Sequence, residues 1–163
     1  INIPRQRRGM LIYRHMKKII HKKDLNKVAT ALLSKVAKTK NTKAKIIAMS
    51  GDLGAGKTTL TQEIAKELGI KSPVASPTFV IMKIYKIESP KSYLKQFKKL
   101  VHIDAYRLEG AKELLKIGWD NIYNDKDNLI IIEWPENVKE CLDKNTNFVY
   151  LKHQDEETRL FEF

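Results

Sequence analysis

Eight residues, Gly51-Asp-Leu-Gly-Ala-Gly-Lys-Thr58, constrain this chain more than any other stretch. They read G-x-x-x-x-G-K-T, the pattern of a phosphate-binding loop, or P-loop. Gly51, Gly54 and Gly56 permit turns that a Cβ would hinder, so successive backbone N–H groups can converge on a polyanion. Lys57 carries an ammonium on a flexible stem to the β- and γ-phosphates. The Thr58 hydroxyl stands where it can ligate Mg²⁺. A helix starting here adds the positive end of its dipole.

The flanks supply the setting this loop requires. Lys45-Ile-Ile-Ala-Met-Ser50 is a short apolar run of the kind buried in a parallel strand. After the loop, Leu60, Ile64 and Leu68 recur every four residues, and Gly69 is a helix stop. Strand, glycine-rich loop and helix follow one another directly.

The rest of the chain reads as elements of the same fold. Asp24 is a candidate N-cap for a helix whose apolar stripe is Leu25, Val28, Ala29, Leu32, Leu33 and Val36. Residues 38–45 form a polar loop. Ser72-Pro-Val-Ala-Ser-Pro77 holds two prolines and is a loop. Residues 78–87 are rich in β-branched and aromatic types and read as a strand. Residues 88–99 form a basic connector. Residues 100–103 and 129–132 read as buried strands, the first ending at Asp104 and the second at Glu133. A helix is expected over 109–117, stopped at Gly118, and a short one over 136–142. Residues 147–152 and 159–163 flank His153-Gln-Asp-Glu-Glu-Thr158 and suggest an antiparallel hairpin. The expected fold is α/β: a P-loop NTPase with a mostly parallel central sheet flanked by helices and an antiparallel C-terminal hairpin at one edge.

Length and composition place this fold in one domain. At 163 residues the chain is long enough to bury a core. No apolar run approaches the about 20 residues a membrane helix needs. The one cysteine, Cys141, excludes an intramolecular disulfide and reads as an inert small residue, which points to a reducing compartment and a cytoplasmic protein. The formal net charge is +12. Residues 1–15 contribute Arg5, Arg7, Arg8 and Arg14 and no acid. They read as a basic extension, disordered or not native to the domain, although transit peptides share that composition. The ATPase domain is then expected over 16–163. The remaining excess is lysine, on solvated faces or facing nucleic acid or an acidic partner.

Binding a nucleotide and hydrolysing it are different demands, since hydrolysis needs a held metal and a placed water. Acids just past the carboxyl ends of strands lie where an open α/β sheet holds its ligand. Glu133 and Asp104 both fit, and either could ligate Mg²⁺ directly or through water. His102 points to the same face as Asp104 and reads as polar packing. Trp134 either covers the nucleotide or fills core.

These blocks, in this order, resemble the TsaE family of bacterial tRNA threonylcarbamoyladenosine biosynthesis ATPases, formerly called YjeE. The matching text is Gly51-Asp-Leu-Gly-Ala-Gly-Lys-Thr-Thr-Leu60, Ser76-Pro-Thr-Phe79, His102-Ile-Asp-Ala-Tyr-Arg-Leu108 and Ile132-Glu-Trp-Pro-Glu136, and the likeness covers residues 16–163. It implies a small ATPase that works with the TsaB–TsaD complex on tRNA. By this likeness Gly51, Leu53, Gly54, Ala55, Gly56, Lys57, Thr58 and Thr59 cradle the phosphates, and Thr58 and Glu133 hold Mg²⁺. Thr78 lies in the first switch near the γ-phosphate, and Asp104 matches the acidic switch residue. With Lys57 these are the expected catalytic residues. Trp134 matches a tryptophan that senses nucleotide state, and Arg159 a C-terminal arginine close to the nucleotide. Two features depart from the family: Ala105 stands where a larger apolar residue is usual, and the connector over 88–99 is longer.

Three rival readings explain less. A small-molecule kinase needs several arginines in a lid, and after the loop the chain has only Arg107 and Arg159. A GTPase needs an Asn-Lys-x-Asp reader, and Asn124-Asp-Lys-Asp127 has the wrong order. A basic nucleic-acid-binding module leaves the loop and the strand-end acids unexplained. The expected chemistry is in-line attack of water on the γ-phosphate of Mg·ATP. No residue reads as a general base, so turnover of the isolated chain is expected to be slow and partner-dependent.

Overall fold

The computed structural model describes residues 17–38, 40 and 42–163. The basic extension expected over 1–15 lies outside the described residues. The two most apolar segments of the chain become the middle of a sheet: β2 (Lys45–Ser50) and β5 (Asn128–Glu133). Side chains of a strand alternate between faces, so an unbroken apolar run is stable only where both faces are covered. That is what forms. Ile47, Met49, Leu129 and Ile131 join one core, while Ile46, Ala48, Ile130 and Ile132 join the other.

The first core is closed by α1 (Leu25–Ala37) and α2 (Lys57–Glu67). The stripe expected on α1 is buried along its whole length. Each large aliphatic there adds roughly 1.5–3 kcal/mol relative to staying exposed. The second core is closed by α3 (Ala111–Lys116), α4 (Trp119–Asn124) and the 3-10 helix Pro135–Cys141.

Seven strands run in the order β1-β7-β6-β2-β5-β4-β3. The further strands are β1 (Lys17–His21), β3 (Met82–Lys86), β4 (Lys99–Asp104), β6 (Asn147–His153) and β7 (Thr158–Glu162). The central four, β6, β2, β5 and β4, are parallel, and the outer pairings are antiparallel. The sheet is thus mixed, with a parallel centre. Met49 and Asp104 both lie opposite Glu133 in the register, so three strands end on one rim.

Local differences from expectation have physical causes. The strand expected over 78–87 begins only at Met82, because Ile81 adopts φ 66° and the Val80 N–H turns back to the Pro77 carbonyl at 2.9 Å. The helix expected over 109–117 is confined to α3, and Gly118, at φ 94°, starts α4, which periodicity did not mark. Six residues are too few to display a helical stripe. The C-terminal hairpin forms on one flank, but β1 pairs outside β7 along its full length. Asp24 occupies the N-cap of α1 without capping it; its carboxylate meets Lys27 at 2.7 Å instead.

Candidate functional site

The P-loop joins β2 to α2 on the rim where the parallel strands end. Gly51 lies against the neighbouring strand so closely that a Cβ would sit 2.1 Å from the Leu151 carbonyl oxygen. The loop then folds on itself, with the Ala55 N–H donating to the Asp52 carbonyl at 3.1 Å. Gly56, at φ 103°, caps α2 from the left-handed region. Leu53, Gly54 and Thr59 face solvent, while Ala55 is fully buried.

Lys57 is drawn inside the loop and is 5% exposed. Its Nζ donates to the carbonyls of Gly51 at 2.5 Å and Asp52 at 2.9 Å. It also stands 4.0 Å from the centroid of the Trp134 ring. Burial lowers its pKa below the usual lysine value, against the opposing pull of Glu133, Glu136, Asp104 and Asp52. Trp134 reaches this position through a left-handed residue, φ 59° and ψ 50°, directly after β5. Its N–H donates to the Met49 carbonyl at 3.2 Å, and Tyr106 leans on its ring at 5.1 Å.

Thr58 and Glu133 meet beneath the loop. The Thr58 Oγ1 donates to the Glu133 carboxylate, 3.0 Å from Oε1 and 3.1 Å from Oε2. His102, fully buried on β4, bonds the same Oε1 through Nε2 at 2.8 Å. Beside them, Asp104 Oδ2 accepts from Thr78 Oγ1 at 2.5 Å and from Ser76 at 2.8 Å. Its Oδ1 accepts from the Tyr106 N–H at 3.1 Å. A carboxylate and a hydroxyl side by side form the hard-oxygen pair that suits Mg²⁺, which takes few protein ligands and keeps water and phosphate oxygens. Among the described residues, no group of three or more His, Cys, Asp or Glu could hold a metal by itself.

Lys57, Thr58, Thr78, Asp104, Glu133 and Trp134 therefore converge on one rim. Arg159 stands apart from that cluster. It is the second residue of β7, and its Nη1 donates to the Asp155 and Thr158 carbonyls at 2.5 and 2.7 Å, bracing its own turn. Three contributors take no site role from the sequence. His102 reaches Glu133 across two paired strands. Tyr106 backs Trp134. Glu136 accepts from the Ser50 hydroxyl at 2.7 Å. The Cys141 thiol is pushed up by burial, with Glu140 and Asp120 adding to the effect, which disfavours the thiolate.

The model of the family described as "Threonylcarbamoyl adenosine biosynthesis protein TsaE" matches residues 20–161. The chain belongs to the TsaE family. It is 38% identical over 116 residues to the tRNA threonylcarbamoyladenosine biosynthesis protein TsaE of Rickettsia prowazekii, a match covering 71% of this chain and 74% of that protein. The TsaE of Haemophilus influenzae is 33% identical over 114 residues, covering 70% and 66%. The fold is also that of the crystal structure of Bacillus subtilus YdiB, with a TM-score of 0.64 at 24% identity, covering 91% of this chain and 84% of that one. The TsaE family serves tRNA threonylcarbamoyladenosine biosynthesis, and this chain carries the family's P-loop NTPase fold.

Proposed function

We propose that this TsaE-family chain is a Mg²⁺-dependent ATPase that works in the cytoplasm with TsaB and TsaD on tRNA modification. One observation carries the reading: Thr58 and Glu133 share a hydrogen bond directly under the P-loop. A carboxylate at the end of a buried strand, touching the hydroxyl that follows the loop lysine, matches the shared metal site of P-loop hydrolases.

The chain's own groups divide the work. The amides between Gly51 and Thr59 hold the phosphates. Lys57 exchanges its two loop carbonyls for phosphate oxygens and offsets the charge that develops on the transferring group. Thr58 and Glu133 would hold Mg²⁺, which would supply charge neutralisation to the phosphates when bound. His102 orients Glu133. Thr78 and Asp104 form a bonded pair beside the γ-phosphate side of the loop and respond to its loss. Trp134 covers Lys57 and excludes water. Arg159 is braced by its own turn, and its expected approach to the nucleotide requires those bonds to be exchanged. No side chain is assigned as general base, so the isolated chain is expected to turn over slowly.

The test is ATP hydrolysis with and without TsaB and TsaD, with GTP as control. The proposal expects slow turnover alone and a rise when the pair is added. Turnover at tens per second in the isolated chain would contradict the partner-dependent mechanism.

A further inference from the structure

Around the nucleotide rim, Asp52, Asp104, Glu133 and Glu136 surround Lys57, and Asp155, Glu156 and Glu157 fill the turn before β7. The opposite pole, where β2, β4 and β5 begin, is rich in lysine; Lys71, Lys91 and Lys99 pair there with Glu88, Glu67 and Asp125, and further lysines exceed these pairs. Three separate segments are tied together there. Gln96 Nε2 donates to the Ala37 carbonyl at 3.1 Å, which joins the connector before β4 to the end of α1. The Lys98 N–H donates to the Asp127 carbonyl at 2.8 Å, which joins the same connector to the turn before β5. The Ala44 N–H donates to the Tyr123 carbonyl at 2.9 Å, bringing in the segment that leads to β2.

Lys35, Lys38, Lys43, Lys95 and Lys98 are exposed on these segments, and Lys86 is exposed beside them at the end of β3. Among the described residues, none of the six forms an ion pair with a carboxylate. Tyr93 stands among them. It lies on the 3-10 helix Ser92–Leu94 and stays 38% exposed, while Leu94 and Phe97 anchor the connector in the core. Gathering like charges on one pole is unfavourable unless a polyanion meets them.

We propose that this pole docks the phosphodiester backbone of a nucleic acid and offers Tyr93 to an unpaired base. Lysine ammonium groups bind phosphate as point charges, and an exposed ring beside them is the element on which a single-stranded base stacks. An acidic protein fits less well. Protein interfaces favour arginine and apolar anchors and are depleted in lysine. The large exposed apolar residues Leu53, Phe79, Val80 and Tyr106 lie at the other end of the molecule, around the P-loop and the strand ends. A strand of six residues separates the two poles by roughly 20 Å, so docking does not compete with nucleotide. The inference is independent of ATP hydrolysis, and its failure leaves that reading standing.

The experiment measures fluorescence anisotropy of the full chain with an unmodified tRNA transcript, a DNA duplex of similar mass and poly-glutamate. Salt is varied between about 50 and 200 mM, the range over which phosphate contacts weaken most visibly. The comparison variants are K86Q/K95Q/K98Q and Y93A, with ATP binding as a check on folding. Wild type and variants share the same arginine-rich head, so its contribution cancels. The expected result is tRNA binding whose log–log salt slope becomes shallower by about 3 in the triple variant, one unit per lost phosphate contact. Affinity for tRNA should fall at least about tenfold at the lower salt, with ATP affinity unchanged. Y93A should weaken tRNA and spare the duplex. Tighter binding of tRNA than duplex is expected from stacking on Tyr93, and equal binding would overturn that contact. Absence of tRNA binding by the wild type, an unchanged slope in the triple variant, or poly-glutamate binding as tight as tRNA would overturn the proposal.

Discussion

Glu133 has to satisfy two donors at once, Thr58 Oγ1 and His102 Nε2. Removing its carboxylate leaves buried polar groups unpaired, which costs about 1–3 kcal/mol. Glu133→Gln retains an acceptor and the volume, so the variant is expected to fold while Mg²⁺-dependent hydrolysis falls at least about a hundredfold. Thermal unfolding without nucleotide, read beside a Mg²⁺ titration of turnover, checks both halves. Unchanged turnover would remove Glu133 from the metal.

Lys57 yields a second prediction at this scale. Burial lowers its pKa in the free protein. Bound phosphates favour the ammonium and raise it again. Between those two values nucleotide binding takes up a proton, so affinity falls as pH rises through the lowered value. Folding has the opposite dependence on pH. In the window between the lowered value and 10.5, the unfolded chain binds more protons than the native one, so Lys57's unfavourable contribution is relieved as pH rises. Affinity for a non-hydrolysable ATP analogue, measured from about pH 7 to 10, should therefore decline before an ordinary lysine would titrate. Lys57→Met should remove the decline along with most of the affinity. A flat profile in the wild type would show that phosphate contact does not depend on this ammonium.

At the scale of elements, the P-loop depends on its seat against β6 as much as on its own turns. Gly51 has the Leu151 carbonyl oxygen where a Cβ would go, whereas Gly54 has nothing within 4 Å. Gly54→Ala then meets only the backbone cost of a left-handed residue, about 1–2 kcal/mol. Gly51→Ala must in addition push β6 from β2, and the loss should exceed that of Gly54→Ala. Urea midpoints of the two variants decide the order. Equal midpoints would mean that the β6 backbone yields freely. Ile81 shows the same tension elsewhere: a β-branched residue at φ 66° is held there because its carbonyl accepts the Asp104 N–H at 2.9 Å. This bond ties the segment carrying Thr78 to the strand end carrying Asp104, and it cuts β3 short.

At the scale of the molecule, nucleotide is expected to act as a stabiliser. A ligand at a hundred times its Kd adds about 2.7 kcal/mol, which raises Tm by roughly 5–10 °C in a domain of this size. ATP with Mg²⁺ should produce that rise in the wild type, and the Mg²⁺-dependent part should vanish in Glu133→Gln. Differential scanning fluorimetry with ATP, with and without Mg²⁺, reads it directly. The same shift in both proteins would place the metal elsewhere.

Local chemistry reached far into this fold. The loop at 51–58, the apolar runs of β2 and β5, the stripe of α1 and the acids at two strand ends are short-range patterns, each set by side-chain period or backbone freedom within a few residues. They suffice for an α/β P-loop fold and for most of the site's membership. Tertiary structure decided what depends on partners distant in sequence. β1 is a strand because β7 gives it a register, not because Lys17–His21 alternates. His102 touches Glu133 because β4 and β5 are parallel and aligned. Arg159 is turned to its own hairpin by carbonyls that no spacing announces. Lys35, Lys43, Lys86, Lys95 and Lys98 share one pole because topology sends their segments to one end of the sheet. Periodicity reports how a residue relates to its neighbours along the chain, while strand order and register are settled by the total burial of two cores, to which every element contributes.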